Sequence, residues 1–470
     1  MKEKPNSADR EEIRNLLVQY NNLKEGNDTK FLEEEAFEKI IDYFDDNDQL
    51  PEAIEAADCG IRLFPYSSLL FIKKADLLIA SKKFAESLDI LEKAEVLDHL
   101  DINLYVLKTE GYLGLQCFDK AKSVFREGIA VFKGDEKRDL LFEIADVFDD
   151  YEQLPEVYEC LKLILLDEPG NREALYKICF WTDYTGRYEE SIRLHKELID
   201  RQPYNHLAWF NLGCAFQGLR LYESAIDAYQ YAIAIDEKFD YAYRNLGDAY
   251  IRIRNYKDAV DALEKVLELS IPEDIIYEAL GHCHEKLKNP AQARVQYRKA
   301  AHLNHEDSHL YYHIAITYMM EENWKNAIQQ LEVALNLSPK KSDYHFAMAQ
   351  CLDLSGRVKE AINHYLTYIS SRPKSIKGWK ALIICLYDEG IFQEALQQTE
   401  IAYHQTQGKP LFIYLRAAIL IEMGRVKDGL VLLQTAMHIA PKLLKEFISL
   451  NPSLIQRPSV ARLIRLSKSK

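Results

Sequence analysis

Five residues, His305-Glu306-Asp307-Ser308-His309, spell a literal H-E-x-x-H. A zinc hydrolase uses that spacing on one helix face, so that two imidazoles meet one ion while the glutamate works as a base. His309 and His313 are also four apart, with His282 and His284 upstream, a spacing that could hold a metal opportunistically; ordinary surface histidines are the expectation, with no metal site. Eight cysteines (Cys59, Cys117, Cys160, Cys179, Cys214, Cys283, Cys351, Cys385) include no C-x-x-C pair and read as reduced thiols. An acidic segment, Phe44 to Glu52, returns nearly unchanged as Phe148 to Glu156. It lacks the loop glycine and twelve-residue spacing of an EF-hand, so a solvated turn is expected rather than a calcium site, with reuse as a contact for a basic partner left open. No glycine-rich phosphate loop and no G-x-S-x-G occurs, and the chain is expected to be no enzyme and to carry no cofactor.

The elements that must position these residues repeat. Trp209-x-x-Leu212-Gly213-x-x-Phe216 recurs as Tyr243-x-x-Leu246-Gly247-x-x-Tyr250 and Tyr277-x-x-Leu280-Gly281-x-x-His284, each 34 residues on. A small residue follows each glycine at twelve positions' distance: Ala225, Ala259 and Ala293. Apolar side chains at i, i+3, i+4 and i+7 make each copy two amphipathic helices joined by a turn. Gly213 and Ala225 fall where two helix axes must approach, since packed helices sit about 8–10 Å apart. One such pair cannot bury its own apolar face, so neighbours must stack.

Extended outward, the frame starts units at Glu34, Ser68, Ile102, Arg138, Arg172, His206, Asp240, Asp274, Ser308, Ser342, Ile376 and Pro410, with one two-residue insertion near Glu136-Lys137. Pro65, Pro169, Pro203, Pro339, Pro373 and Pro441 share one phase, just past the second helix, where proline cannot continue it. The weakest copy is the unit from Ile102, where Thr109 replaces the small apolar residue, so looser packing is expected there. The chain resembles the tetratricopeptide-repeat family over about nine tenths of its length, with twelve tandem units. That resemblance implies an all-α, right-handed superhelical solenoid with a concave ligand groove. Residues 1–33 then form an N-terminal capping helix from about Asp9, ended by Gly26-Asn27-Asp28; residues 34–443 are the repeats, and 444–470 a capping helix and basic tail. The frame places His305 between repeats and His309 near a helix start, so the H-E-x-x-H spans a turn.

In the family, the second, fifth, ninth and twelfth residues of each first helix tend to line the groove. Carried onto this chain, these phases give Asp42 and Asp45 in the first repeat, Phe142, Asp146 and Asp149 in the fourth, and Tyr176, Phe180 and Asp183 in the fifth. They add Phe210 in the sixth and Tyr241, Arg244 and Asp248 in the seventh, with Tyr184 adjoining the row. Aromatics flanked by carboxylates imply a site for a protein or peptide segment carrying Lys or Arg beside apolar anchors. The alternative is that tyrosine, with 29 copies, merely decorates the surface. Chaperone-binding relatives hold a C-terminal carboxylate with Lys or Arg and Asn at the fifth and ninth phases. Here those phases read Arg244 with Asp248 and Lys380 with Ile384, so that clamp is not reproduced.

A net charge of −15 disfavours nucleic acid, which needs a basic face. No apolar run approaches the roughly 18 residues of a membrane span, and the start, MKEKPNSADREE, is not of the secretory kind. A cytoplasmic protein-interaction scaffold or adaptor is expected. The alternatives are self-assembly through the basic tail Arg457 to Lys470, otherwise read as frayed and solubilising, and a peptide-responsive regulator.

Overall fold

The turn inside each repeat sets the geometry of everything that follows. One residue in each of the twelve helix–helix turns adopts a left-handed conformation: Asp48, Lys82, Gln116, Glu152, Gly186, Arg220, Arg254, Lys288, Glu322, Gly356, Gly390 and Gly424. It lets the chain reverse while the last carbonyls of the helix stay bonded, as where Arg220 N–H donates to Gln217 O at 2.9 Å and Leu221 N–H to Phe216 O at 2.9 Å. Four of the twelve are glycines, for which φ > 0 is free; at the others a side chain tolerates it at some cost.

The computed structural model describes residues 7–25 and 32–468. Among these, the secondary structure is helical throughout, with no strand. The first helices of the twelve pairs begin at Glu34, Ser68, Ile102, Gly134, Arg172, His206, Asp240, Asp274, Ser308, Ser342, Ile376 and Pro410. The fourth differs from the expected Arg138: its helix, Gly134–Asp150, is 17 residues long where its counterparts have 13 or 14, so the insertion extends the N-terminal turn instead of interrupting packing. Ser67, Asp101, Asn171, Asn205, Asp307 and Ser375 cap first helices by accepting a backbone N–H, as Asn171 does from Ala174 at 3.0 Å.

Two compact units are present, Met1–Asn245 and Leu246–Lys470, divided within the helix Asp240–Arg252. In the first, the small-residue logic holds at Gly213: a Cβ there would stand 2.5 Å from the Tyr229 ring, which is fully buried. Thr109 is fully buried as well and donates to Tyr105 O at 2.7 Å, so the third repeat satisfies its hydroxyl and packs normally, contrary to expectation. The N-terminal helix Ser7–Lys24 places buried Tyr20 edge-on to Phe37 at 6.3 Å, with Leu16, Leu17 and Leu23 against the same cluster. Gly26, Asn27 and Asp28, expected to end that helix, lie outside the described residues.

In the second unit, the histidine- and tyrosine-bearing pairs give way to an apolar last pair, Pro410–Glu422 and Val426–Ile439. Phe447, Leu454 and Val460, all fully buried, close it together with Tyr414 and Leu433. The basic segment is therefore not a frayed tail: Pro458–Lys468 is a helix whose Val460 inserts into this cluster. Arg457 fixes its start by bonding Ile421 O and the Glu422 carboxylate, each at 2.8 Å.

Candidate functional site

The first unit carries an aromatic and acidic face built from the first helices of successive repeats. On the fifth, Arg172–Thr185, residues 176, 180 and 184 recur every four positions and so share a side. Tyr176, Phe180 and Tyr184 are 52%, 60% and 65% exposed, with Phe180 stacked on Tyr184 at 6.0 Å. The core beneath them is already filled by Ala174, Leu175 and Ile178, so the rings are surplus to packing. Tyr241 is 58% exposed in the seventh repeat. Phe142 and Phe210 depart from the expected row. Both are half-buried against the core, Phe142 beneath the Lys177 ammonium at 5.2 Å and Phe210 edge-on to Phe239 at 5.0 Å.

Carboxylates flank the rings. Asp45, Asp149 and Asp183 are exposed, and Asp183 accepts from the Tyr188 hydroxyl at 2.7 Å. Asp42 and Asp146 are partly spent, Asp42 on Lys73 and Asp146 on Lys177 at 3.5 Å. Two further acids, Asp76 and Glu110, at the ninth position of the second and third repeats, join the column; their phase in the sequence is the signal that marks them. Lost hydration, followed by Asp45 and Asp42 across the repeat boundary, pushes the Asp76 carboxyl up against the opposing pull of Lys73. Glu110 is raised by lost hydration, then by Asp76 and Asp150, and Asp149 by lost hydration, then by Asp150 and Asp146. Like charges thus crowd one face, and a cation laid along it would relieve them.

Beside Phe180 lies a cavity of about 330 Å³ lined by Cys179, Asp183, Tyr188, Cys214, Tyr229 and Asn245, among others. The Cys214 sulfur, beside Cys179 in the cavity wall, receives Tyr229 Oη at 3.6 Å and Asn245 Nδ2 at 3.4 Å. Cys179 first, and then those donors, favour the Cys214 thiolate and hold its pKa below the usual thiol value. Spacing along the chain gave no hint of this pair, because the two cysteines meet only across adjacent repeats. All eight cysteines are free thiols.

The remaining expectations fall as follows. Arg244 is partly buried in the first unit, and Asp248, in the second, pairs with Arg252 at 3.4 Å. Lys380 is bound to Glu446 at 2.6 Å, a second departure from the carboxylate clamp. Pro51 and Pro155 sit in the first turns of their helices, behind the left-handed Asp48 and Glu152, so the echoed acids form helix–helix turns. His305 lies in the turn between the helices Pro290–Leu303 and Ser308–Met320, so the H-E-x-x-H does not share a helix. Among the described residues, no group of three or more His, Cys, Asp or Glu is arranged to hold a metal, and no helix is long and apolar enough to cross a membrane.

A family model described as tetratricopeptide repeat matches residues 183–238 and 244–308. Similar solved structures include YrrB, described as a TPR protein with an unusual peptide-binding site; it is 20% identical, the match covering 39% of this chain and 95% of that one, with a TM-score of 0.36. The C-terminal part of a TPR repeat-containing protein from Cytophaga hutchinsonii is 15% identical over 52% of this chain and 95% of that one, with a TM-score of 0.44. Pseudomonas aeruginosa pilF is 18% identical over 44% and 94%, with a TM-score of 0.38. No curated protein matches the chain in sequence. The two matched stretches lie in the middle of the chain, and helix pairs of the same period continue on both sides of them, so the chain is a tandem array of helix pairs of the tetratricopeptide kind.

Proposed function

We propose that this chain is a non-enzymatic scaffold that captures a basic, amphipathic segment of another protein on the first-helix face of its first unit. Proteins of this repeat type generally mediate protein–protein interaction. The observation that carries the finer reading is the trio Tyr176, Phe180 and Tyr184, more than half exposed on one side of one helix and flanked by Asp146, Asp149 and Asp183. Rigid aromatic surface anchors a partner at low entropic cost, and the carboxylates select Lys or Arg beside the anchors. Asp42, Asp45, Asp76 and Glu110 extend the attraction toward the N-terminal repeats, while Phe142, Phe210, Tyr241 and Arg244 border it. In this proposal residues 34–443 are the interacting array, with the segments before and after it as covers. Eight free thiols suit a reducing compartment, the cytoplasm.

Selection of a displayed random-peptide library on the full chain tests the proposal. Enriched peptides should carry Lys or Arg next to aromatic or aliphatic residues, and should fail to bind a Tyr176→Ala, Phe180→Ala, Tyr184→Ala chain of unchanged helicity. Acidic winners, or winners indifferent to that variant, would refute it.

A further inference from the structure

Two pairs of imidazoles in the second unit look alike and are not. His345 Nδ1 and His364 Nδ1 lie 2.9 Å apart, and His345 Nε2 lies 2.9 Å from Pro339 O. The carbonyl can only accept, so His345 carries its proton on Nε2, leaving Nδ1 to accept from His364 Nδ1–H. That pair is complete with the protons of two neutral rings.

His309 and His313 lie four residues apart on the first helix of the ninth repeat, and their Nε2 atoms face each other at 3.3 Å. Both Nδ1 atoms are claimed by carboxylates on the preceding first helix, Asp274–Lys286: His309 by Glu278 at 3.1 Å, His313 by Glu285 at 3.0 Å. Tyr297 donates to Glu285 at 3.1 Å and holds that carboxylate in place. A carboxylate accepts only, so each Nδ1 bears hydrogen, and in the neutral ring Nε2 then presents a lone pair. Two neutral rings would bring their lone pairs to 3.3 Å, an approach relieved by a cation between them, either a proton carried on one ring or a metal ion.

The spacing says what fits. Two nitrogens each about 2.0–2.1 Å from a zinc ion in tetrahedral geometry stand about 3.3–3.4 Å apart. A carboxylate on the far nitrogen is the usual support of a metal-bound histidine, fixing its tautomer and aim. The His309 side chain is 53% exposed, which gives an ion a way in, whereas Glu285 is only 11% exposed and stays ordered beneath. We propose that His309 and His313 chelate one divalent transition-metal ion, such as Zn²⁺ or Cu²⁺, through Nε2, with Glu278 and Glu285 as positioning residues. No third protein ligand completes the set among the described residues, so water, or a side chain brought by a bound protein, takes the open positions. This inference stands apart from the peptide face of the first unit.

Calorimetric titration of the chelator-stripped full chain with ZnCl₂, and separately with CuCl₂, tests it. One ion per chain is expected, copper tighter than zinc, with binding weakening on acidification as protons compete. His309→Gln and His313→Gln should each abolish saturable binding. Glu278→Gln and Glu285→Gln should weaken it about 10–100-fold while leaving the stoichiometry at one. His345→Gln, in the self-sufficient pair, should change nothing. Should a variant lose helicity, wild-type titration with a tenfold excess of competing chelator still decides. Absence of saturable binding by the wild type, or affinity unchanged in the folded His309→Gln chain, would overturn the proposal and leave a shared proton between the rings.

Discussion

The first helices of the two units share one register and present different chemistry. At the ninth position the first unit reads Asp42, Asp76, Glu110, Asp146, Phe180 and Cys214; the second reads Asp248, His282, Ile316, Gln350, Ile384 and Ala418. At the contact phase the two units do agree in their middle repeats: Gly213 meets Tyr229 as Gly281 meets Tyr297, the would-be Cβ standing 2.5 and 2.7 Å from the ring. A repeat therefore separates its obligations. Residues that let helices approach are small in most repeats, with Ile41 and Ile383 as exceptions, while the neighbouring phase is free to carry charge, rings or imidazoles.

The sharpest way to break this contrast is to remove the rings. Tyr176→Ala, Phe180→Ala, Tyr184→Ala together should weaken a selected basic peptide by about 100-fold or more, the scale of a lost aromatic hot spot, with circular dichroism unchanged. On the contact side, Gly213→Ala should cost about 1–3 kcal/mol through overpacking on Tyr229, read as a fall in denaturation midpoint, whereas Gly186→Ala, in open space at φ 67°, should cost about 1 kcal/mol through backbone strain alone. Reversing charge with Asp146→Lys and Asp149→Lys should lower affinity about tenfold, mostly through the association rate, and flatten its salt dependence in surface plasmon resonance.

The smallest effect concerns pH. Asp76 and Glu110 bind protons more tightly folded than unfolded, so their contribution favours folding at acidic pH and is lost as pH rises through their elevated folded values. Asp76→Asn with Glu110→Gln should accordingly stabilise the chain at neutral pH. Because the face is open to solvent, the gain is a few tenths of a kcal/mol, visible as a melting difference that narrows toward pH 5.

Spacing made the architecture legible: Gly213, Ala225 and the six in-phase prolines locate helix pairs because packing distance and missing N–H groups leave few alternatives. The left-handed turn residues were hidden, since Lys82 or Arg220 gives no sign of φ > 0 where glycine would. The same applies to Gly134, where two extra residues lengthen a helix that could equally have grown a loop. At the candidate site, phase put Tyr176 and Phe180 on the face where both rings are exposed, with Tyr184 beside them. Phe142 and Phe210 are half-buried, Phe142 under Lys177 from the next repeat and Phe210 against Phe239 at the end of its own. Contacts between repeats, including Cys179 with Cys214 and His313 with Glu285, appear only once the stacking is known.

Cross-linking tests the central claim most directly. A selected basic peptide carrying a photoreactive phenylalanine analogue, irradiated on the full chain and mapped by mass spectrometry, should label the first helices of the fourth and fifth repeats, centred on residues 176–184. Labelling confined to the second unit, or to second helices, would contradict the account.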